Sequence, residues 1–483
     1  TGKELSESDL IRNYVLMGLE PSEQTYVYEH LWRPMEQLFA YETQVTVMDA
    51  FFRHYLTMKL SHIPKQERVY EEFKLYHLNC EFGSIRELCQ DLLDYAKYYT
   101  NIVFKRNSDK DLRKLYDDII DLRMEVSYPF LLKIHHDCSE GLITSDELKE
   151  ILKLCISYVL RRAICEIPTN SMNKTFATFK NYIKPDDYLN SVKAFFVMQD
   201  TYKEFPDDEK FESAFISRDI YNMRARNYIL SRLENFENKA PIVIENYTIE
   251  HIMPQNKNLS PEWQVDLGTD WKEIQKKYLH TIGNLTLTAY NSEMSDRSFM
   301  EKMNMTGGFK ESALRLNRYV VLQNAWNEQH IQERAKELAK KAEIIWPYPT
   351  LTDAELAPYQ VAEKTVQKYS LETYDVNAFT RMLFEALDKR IMNLSPAVKK
   401  EYKKLYVAYK LDTNFVDIVF QKQRLRISIN MKFSEINDPN GICKDITGLG
   451  RWGNGDVELF MEHQDELDQI MEIVQQSFDA QAE

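Results

Sequence analysis

The residues best suited to chemistry lie in Tyr247-Thr-Ile-Glu-His-Ile-Met-Pro-Gln255. A carboxylate and an imidazole stand side by side at the end of a β-branched run. Adjacent strand residues point to opposite faces, so a break at Pro254 is needed to aim Glu250 and His251 at one site. One then binds a divalent cation through carboxylate oxygen, and the other takes a proton from water. Hydrolysis of a phosphodiester needs both roles. An imidazole with an unperturbed pKa of about 6.5 suits the general base. The cation neutralises the phosphate and stabilises the leaving oxygen. Hard oxygen ligands such as Glu and Asn favour Mg²⁺ or Mn²⁺ over zinc.

The second half of the constellation is His280-Thr-Ile-Gly-Asn-Leu-Thr-Leu-Thr-Ala-Tyr-Asn291. Asn284 stands just before a short apolar run, where its amide pins the connecting loop and holds His251 in register. Asn291 opens the next helix and is the second metal ligand beside Glu250. A helix N-terminus also favours anionic phosphate. Arg297 and Lys302 follow on that helix and are read as contacts to the substrate backbone. For Lys302 the alternative is a salt bridge to Glu293 or Glu301. His280 is either a substrate group or a histidine that fixes the loop.

The elements that must position these groups are read from periodicity. Residues 1–238 read as helices. Ser6-x-x-Asp9 and Thr144-x-x-Glu147 have the form of capping boxes. Leu148, Ile151, Leu152, Cys155, Tyr158 and Val159 form an apolar stripe at helical spacing. Composition changes at Ala240-Pro241. A strand over 242–249, a long connection, a strand at Leu285–Thr288 and a helix from about Ser292 to Met303 make the candidate site domain, 239–346. A further helical stretch runs from about Leu316 to Ile345. Pro347, Pro349 and Pro358 mark a linker over 347–360. Residues 361–483 read as a small α/β domain. In it Leu425, Ile427, Ile429 and Met431 alternate with polar residues, and Asn414–Phe420 is the partner strand across a turn at 421–423. Val457, Leu459 and Met461 form one more strand, before a closing helix from about Leu467.

Other features are read more plainly. Arg161 and Arg162 are expected in structural ion pairs rather than in a nucleic-acid groove. Gly448, Gly450, Gly453 and Gly455 form a glycine-rich loop without a Walker ending, read as a tight turn. Trp452 either stacks on a base or is buried in the small domain. Glu401-x-Lys403 echoes a different nuclease signature but falls in a helix-like run. The six cysteines show no metal or disulfide spacing, which fits unpaired thiols in a reducing cytoplasm. The net charge of −14 argues mildly against a broad basic footprint, so any nucleic-acid surface is local. No apolar run reaches the roughly 20 residues of a membrane span.

Taken in order, Glu-His-Ile-Met-Pro-Gln, a connection containing Trp263 and Trp271, His-x-Ile-Gly-Asn-Leu-Thr-Leu, and Asn-x-x-x-Ser-Asp-x-x-Phe-x-x-Lys resemble the HNH-like nuclease domain of GmrSD-type restriction endonucleases. The resemblance is close from Tyr247 to Lys302. Upstream, residues 1–13, Leu160–Cys165 and Pro168–Lys174 are similar to the end of that family's nucleotide-dependent domain and its helical middle. The glycine loop is similar to an accessory domain of unknown function fused to these proteins, whose members often carry His at the position of Arg451.

The resemblance implies a mainly α fold with a ββα-metal (HNH) nuclease core and a small C-terminal α/β domain. It implies a metal-dependent endonuclease that cuts foreign, including modified, double-stranded DNA in prokaryotic anti-phage defence in the cytoplasm. Nucleotide dependence would come through an N-terminal domain preceding Thr1, so this chain is expected to be a C-terminal portion. Two alternatives stand: an RNA-cleaving toxin-type nuclease with the same site, and a catalytically silent interaction module. The intact Glu-His and Asn positions speak against the second. Homo-oligomerisation is left open.

Overall fold

The computed structural model describes residues 5–39, 44–80, 82–360, 369–447 and 455–482. The chain divides into two compact units, Thr1–Tyr359 and Gln360–Glu483.

The first unit is built on long helices, among them Gln44–Leu60, Ile85–Val103, Tyr128–Ser139 and Ser145–Ile164. Helix Ile85–Val103 shows why. Leu88, Leu92, Tyr95, Ala96, Tyr99 and Ile102 recur on one face and are buried, while Ser84 accepts from Glu87 N at the start. Both capping boxes, Ser6 with Asp9 and Thr144 with Glu147, are present. The interior is rich in aromatic rings, which meet edge to face, as Tyr55 does with Tyr95 and Tyr99 with Tyr128. Arg161 and Arg162 are fully buried. Arg161 donates to Trp346 O at 2.7 Å, to Pro206 O at 3.1 Å and to Asp208. Arg162 donates to Glu204 O at 3.2 Å and to Pro168 O at 2.6 Å. Arg161 thus has the expected ion pair, with Asp208, whereas Arg162 is held by backbone carbonyls, and both are turned into the interior.

The candidate site rests on a two-stranded antiparallel ribbon, β1 (Thr248–His251) and β2 (Leu285–Thr288). Leu285 and Leu287 enter the same apolar core as the N-terminal helices, together with Ile282, Leu316, Ala335, Leu338 and Trp346. Ile252 and Met253 enter a second cluster with Trp263, Phe299, Met303 and Trp326. Helix Glu328–Ile345 spans both, and its buried Arg334 donates to Ile282 O at 2.9 Å, Gly283 O at 2.8 Å and Leu316 O at 3.1 Å.

In this unit three elements differ from the sequence reading. β1 begins only at Thr248, because the Asn235 amide binds both Ile242 N and Ile242 O and holds that segment out of a sheet. The expected helix over 292–303 is two short helices, Asn291–Met294 and Phe299–Asn304. The chain breaks at Ser295, whose φ is 37°, and restarts at a capping box between Ser298 and Glu301. The helix expected from Leu316 starts at Glu328, capped by Asn327. Ahead of it, the Glu234 carboxylate takes Arg315 N and Leu316 N, each at 2.8 Å, and keeps that stretch in tight turns. Among the described residues no helix is long and apolar enough to cross a membrane.

The second unit holds a six-stranded antiparallel sheet: β3 (Lys399–Tyr402), β4 (Val407–Lys410), β5 (Asn414–Phe420), β6 (Leu425–Ile429), β7 (Lys444–Asp445) and β8 (Val457–Met461). Their spatial order is β3-β4-β5-β6-β8-β7. Helices Ala378–Met392 and Leu467–Ala482 bury Leu383, Leu387, Ile470 and Val474 against Val416, Ile418, Ile427 and Leu459. The expected β5–β6 hairpin is present. Glu401 sits in strand β3 rather than a helix, ion-paired to Lys403 and Lys410. Gly448, Gly450, Arg451, Trp452 and Gly453 lie outside the described residues. Gly455 has φ of 110°, and a Cβ there would overlap the Ile429 carbonyl.

Candidate active site

The ribbon registers Glu250 opposite Thr286 and His251 opposite Leu285. Beyond His251 the chain leaves the sheet, and Asn284 holds that exit. Its Oδ1 accepts from Met253 N at 2.8 Å and from Trp326 Nε1 at 3.2 Å. Its Nδ2 donates to Met253 O and Leu279 O, both at 3.0 Å. The amide is wholly buried, and each polar atom is used. Gln275 adds a second tie, donating to Pro254 O at 2.8 Å and Asn256 O at 2.9 Å. Gly283 is required for close approach: a Cβ there would overlap the Ile331 carbonyl and stand 3.1 Å from Ala335 Cβ.

Glu250 and His251 line one open cleft of about 580 Å³, shared with Thr248, Asn291, Ser292 and Asp296. Asn291 is exposed and donates to Ile249 O at 3.3 Å. Asp296 is exposed too and accepts from Asn256 Nδ2 at 2.8 Å. Oxygen donors thus line the cleft from both sides of the ribbon-to-helix junction. Among the described residues, no three His, Cys, Asp or Glu side chains stand close enough to hold a metal ion on their own.

Lys302 is not at the surface. It is fully buried and donates to Glu250 Oε1 at 2.5 Å, His251 O at 2.9 Å and Ile252 O at 3.2 Å. The phosphate contact expected for Lys302 is therefore corrected to an internal pairing, and its partner is Glu250 rather than Glu293 or Glu301. Burial pushes the Glu250 carboxyl above its usual range and the Lys302 ammonium below its own, and each charge partly offsets the other's shift. Arg297 stays exposed, with Nε donating to Glu293 O at 2.7 Å.

His280 turns toward His251. Its Nδ1 lies 3.0 Å from His251 Nε2. The Tyr221 ring stacks on His280 at 5.1 Å and meets His251 edge-on at 4.4 Å. His251 is pushed down to about 3, first by burial and then by His280 and Lys302, well below the value near 6.5 expected of it from sequence, so its ring is neutral and a weaker base than a free imidazole at ordinary pH. Tyr221, Gln275 and Trp326 were not singled out from sequence. Each acts through a partner distant in the chain, and none sits in a run that marks chemistry.

Residues 205–341 match the family model described as GmrSD restriction endonucleases, C-terminal domain. This chain carries a GmrSD-type C-terminal portion. The GmrSD-type segment contains the whole cleft, from Thr248 to Asp296, and the residues that brace it, Tyr221, Asn284 and Trp326. Residues 372–481 match a second model, DUF5655, a domain of unknown function. An uncharacterized protein of Haemophilus influenzae is 37% identical over 103 residues, 21% of this chain and 34% of that protein. The match thus spans about a third of that relative's length.

Proposed function

We propose that the GmrSD-type segment is a metal-dependent endonuclease of the HNH kind that hydrolyses phosphodiester bonds in foreign DNA. The observation that carries this reading is the presentation of Glu250 and His251 at one cleft beside a ribbon whose exit is braced by Asn284. The description of the matching family, restriction endonucleases, supports DNA as the substrate.

Donor chemistry supports a bound Mg²⁺ or Mn²⁺. Glu250 and Asn291 offer hard oxygens and would hold the ion. A site with few protein ligands suits Mg²⁺, which keeps several waters and shares its shell with substrate phosphate. Such an ion would supply positive charge to the phosphate and the leaving oxygen. His251 takes the proton of the attacking water at the ring nitrogen not bonded to His280. Asn284 keeps that imidazole in register by fixing the backbone on either side of the exit. Arg297 contacts the substrate backbone from the exposed side. Lys302 holds Glu250 from beneath and does not touch substrate.

The test is cleavage of supercoiled plasmid, with and without modified bases, in Mg²⁺ or Mn²⁺. The chain is compared with His251→Ala, and EDTA is the control. The reading expects metal-dependent nicking that falls at least about 100-fold in the variant. Nicking that survives the substitution, or none from the unaltered chain at any metal concentration, overturns it for this chain.

A further inference from the structure

The loop Asp219–Arg226 lies far from the ribbon in sequence, yet it walls the site. Ile220 N and Tyr221 N both donate to His280 O, at 2.9 and 3.2 Å. The Tyr221 ring lies nearly parallel to His280, at 11°. Arg226 also holds Tyr221, with its guanidinium 5.6 Å from the ring and Nη1 on Tyr221 O at 3.2 Å. His280 is thus held by backbone and ring together, and its Nδ1 is aimed at His251 Nε2.

We propose that His280, held by Tyr221, is a positioning residue that selects the tautomer of His251: His251 Nε2–H donates to His280 Nδ1, and the lone pair of His251 Nδ1 is left for the cleft. The catalytic meaning of this rests on the nuclease reading above. A neutral imidazole has one N–H to place, and the hydrogen bond at one nitrogen decides the other. The reverse arrangement, with His280 donating, would put the proton on His251 Nδ1. That ring could not then accept a proton from water at the cleft. Among the described residues His251 Nδ1 makes no hydrogen bond, and the residue lines the cleft. In the proposed arrangement both rings also carry the proton on Nε2, the tautomer that a free neutral histidine favours. Tyr221 limits rotation of both rings at once, since it packs on the face of one and against the other edge-on.

The test has two readouts on the full chain. In plasmid cleavage with Mn²⁺, His280→Leu should lower kcat by about 100-fold with KM within about twofold. His280→Asn, which restores an acceptor near the Nδ1 position, should stay within about tenfold of the unaltered chain. Tyr221→Ala should lower kcat by about tenfold. Independently of cleavage, long-range ¹H–¹⁵N correlation on ¹⁵N-histidine-labelled protein reads the His251 tautomer, with His251→Ala assigning the signal. The expected spectrum has protonated Nε2 and bare Nδ1, and becomes a tautomer mixture in His280→Leu. Protonated Nδ1 in the unaltered chain, or an unchanged tautomer and kcat in His280→Leu, overturns the proposal. The expected tautomer, lost in His280→Leu while no form of the chain cuts DNA, upholds the positioning role and overturns the nuclease reading instead.

Discussion

Lys302 Nζ lies 2.5 Å from Glu250 Oε1, and neither side chain has more than 4% of its surface in solvent. The ammonium also holds the carbonyls of His251 and Ile252. It therefore fastens the helix Phe299–Asn304 to the chemical end of β1. Removing one partner of a buried ion pair leaves an uncompensated charge. Lys302→Met should cost about 3–5 kcal/mol in urea unfolding, and adding Glu250→Gln should recover part of it. A cost under about 1 kcal/mol would mean that the pair is solvated.

Asn284 makes four hydrogen bonds with no solvent to replace them. Asn284→Ala strands two donors and two carbonyls, at about 1–3 kcal/mol for each buried group left unmet. Relaxation will recover some of that, so a loss of about 3 kcal/mol or more is expected by chemical denaturation. Asn284→Asp keeps the acceptor but sets a carboxylate against the Met253 and Leu279 carbonyls, and should be no milder. If either variant unfolds at the unaltered midpoint, the exit of β1 is held by something else.

Gly283→Ala tests the closeness of ribbon and helix. The added methyl would meet Ile331 and Ala335 on a helix already tied to Ile282 and Gly283 by Arg334. Overpacking of this kind costs about 1–3 kcal/mol. A drop of that size in thermal stability, with weaker cleavage, is expected. An unshifted melting temperature would show that the helix can step aside.

His135 makes a pH prediction far from the cleft. It is buried, donates from Nδ1 to Leu131 O at 2.7 Å, and accepts at Nε2 from Tyr116 at 2.7 Å. Burial lowers it to about 4 from its usual value. The folded value lies below the unfolded one of about 6.5, so its contribution is fully present above pH 6.5 and is lost as pH falls toward 4. The shift corresponds to about 3 kcal/mol. His135→Gln should flatten the fall in stability across that window, measured as urea midpoint against pH. A variant curve parallel to the unaltered one would place the acid sensitivity elsewhere.

The readable parts of the molecule were those where local pattern and fold agree. The Ser6 and Thr144 caps, the Ser145–Ile164 helix and the β5–β6 hairpin follow from periodicity and capping chemistry alone. At the candidate site, Glu250, His251 and Asn284 stood out because polar groups are conspicuous in apolar runs. What could not be read was decided by partners distant in sequence. Asn235 kept 242–247 out of the sheet, Glu234 held 315–316 in turns, and Ser295 broke a helix that periodicity would have continued. Lys302 was read as a phosphate contact because it follows Asn291 and Arg297 on what looked like one helix. Only the packing of its helix against β1 turned it inward. Tyr221 carried no signal at all, since its role arises where the loop Asp219–Arg226 meets His280.

Because Ile282, Leu285 and Leu287 belong to the helical core, the ribbon is not a cassette. Exchanging residues 239–346 alone between relatives would cut one apolar cluster in two and leave each half with a mismatched face. A transplant that keeps the site intact has to carry the N-terminal helices and the Asp219–Arg226 loop with it.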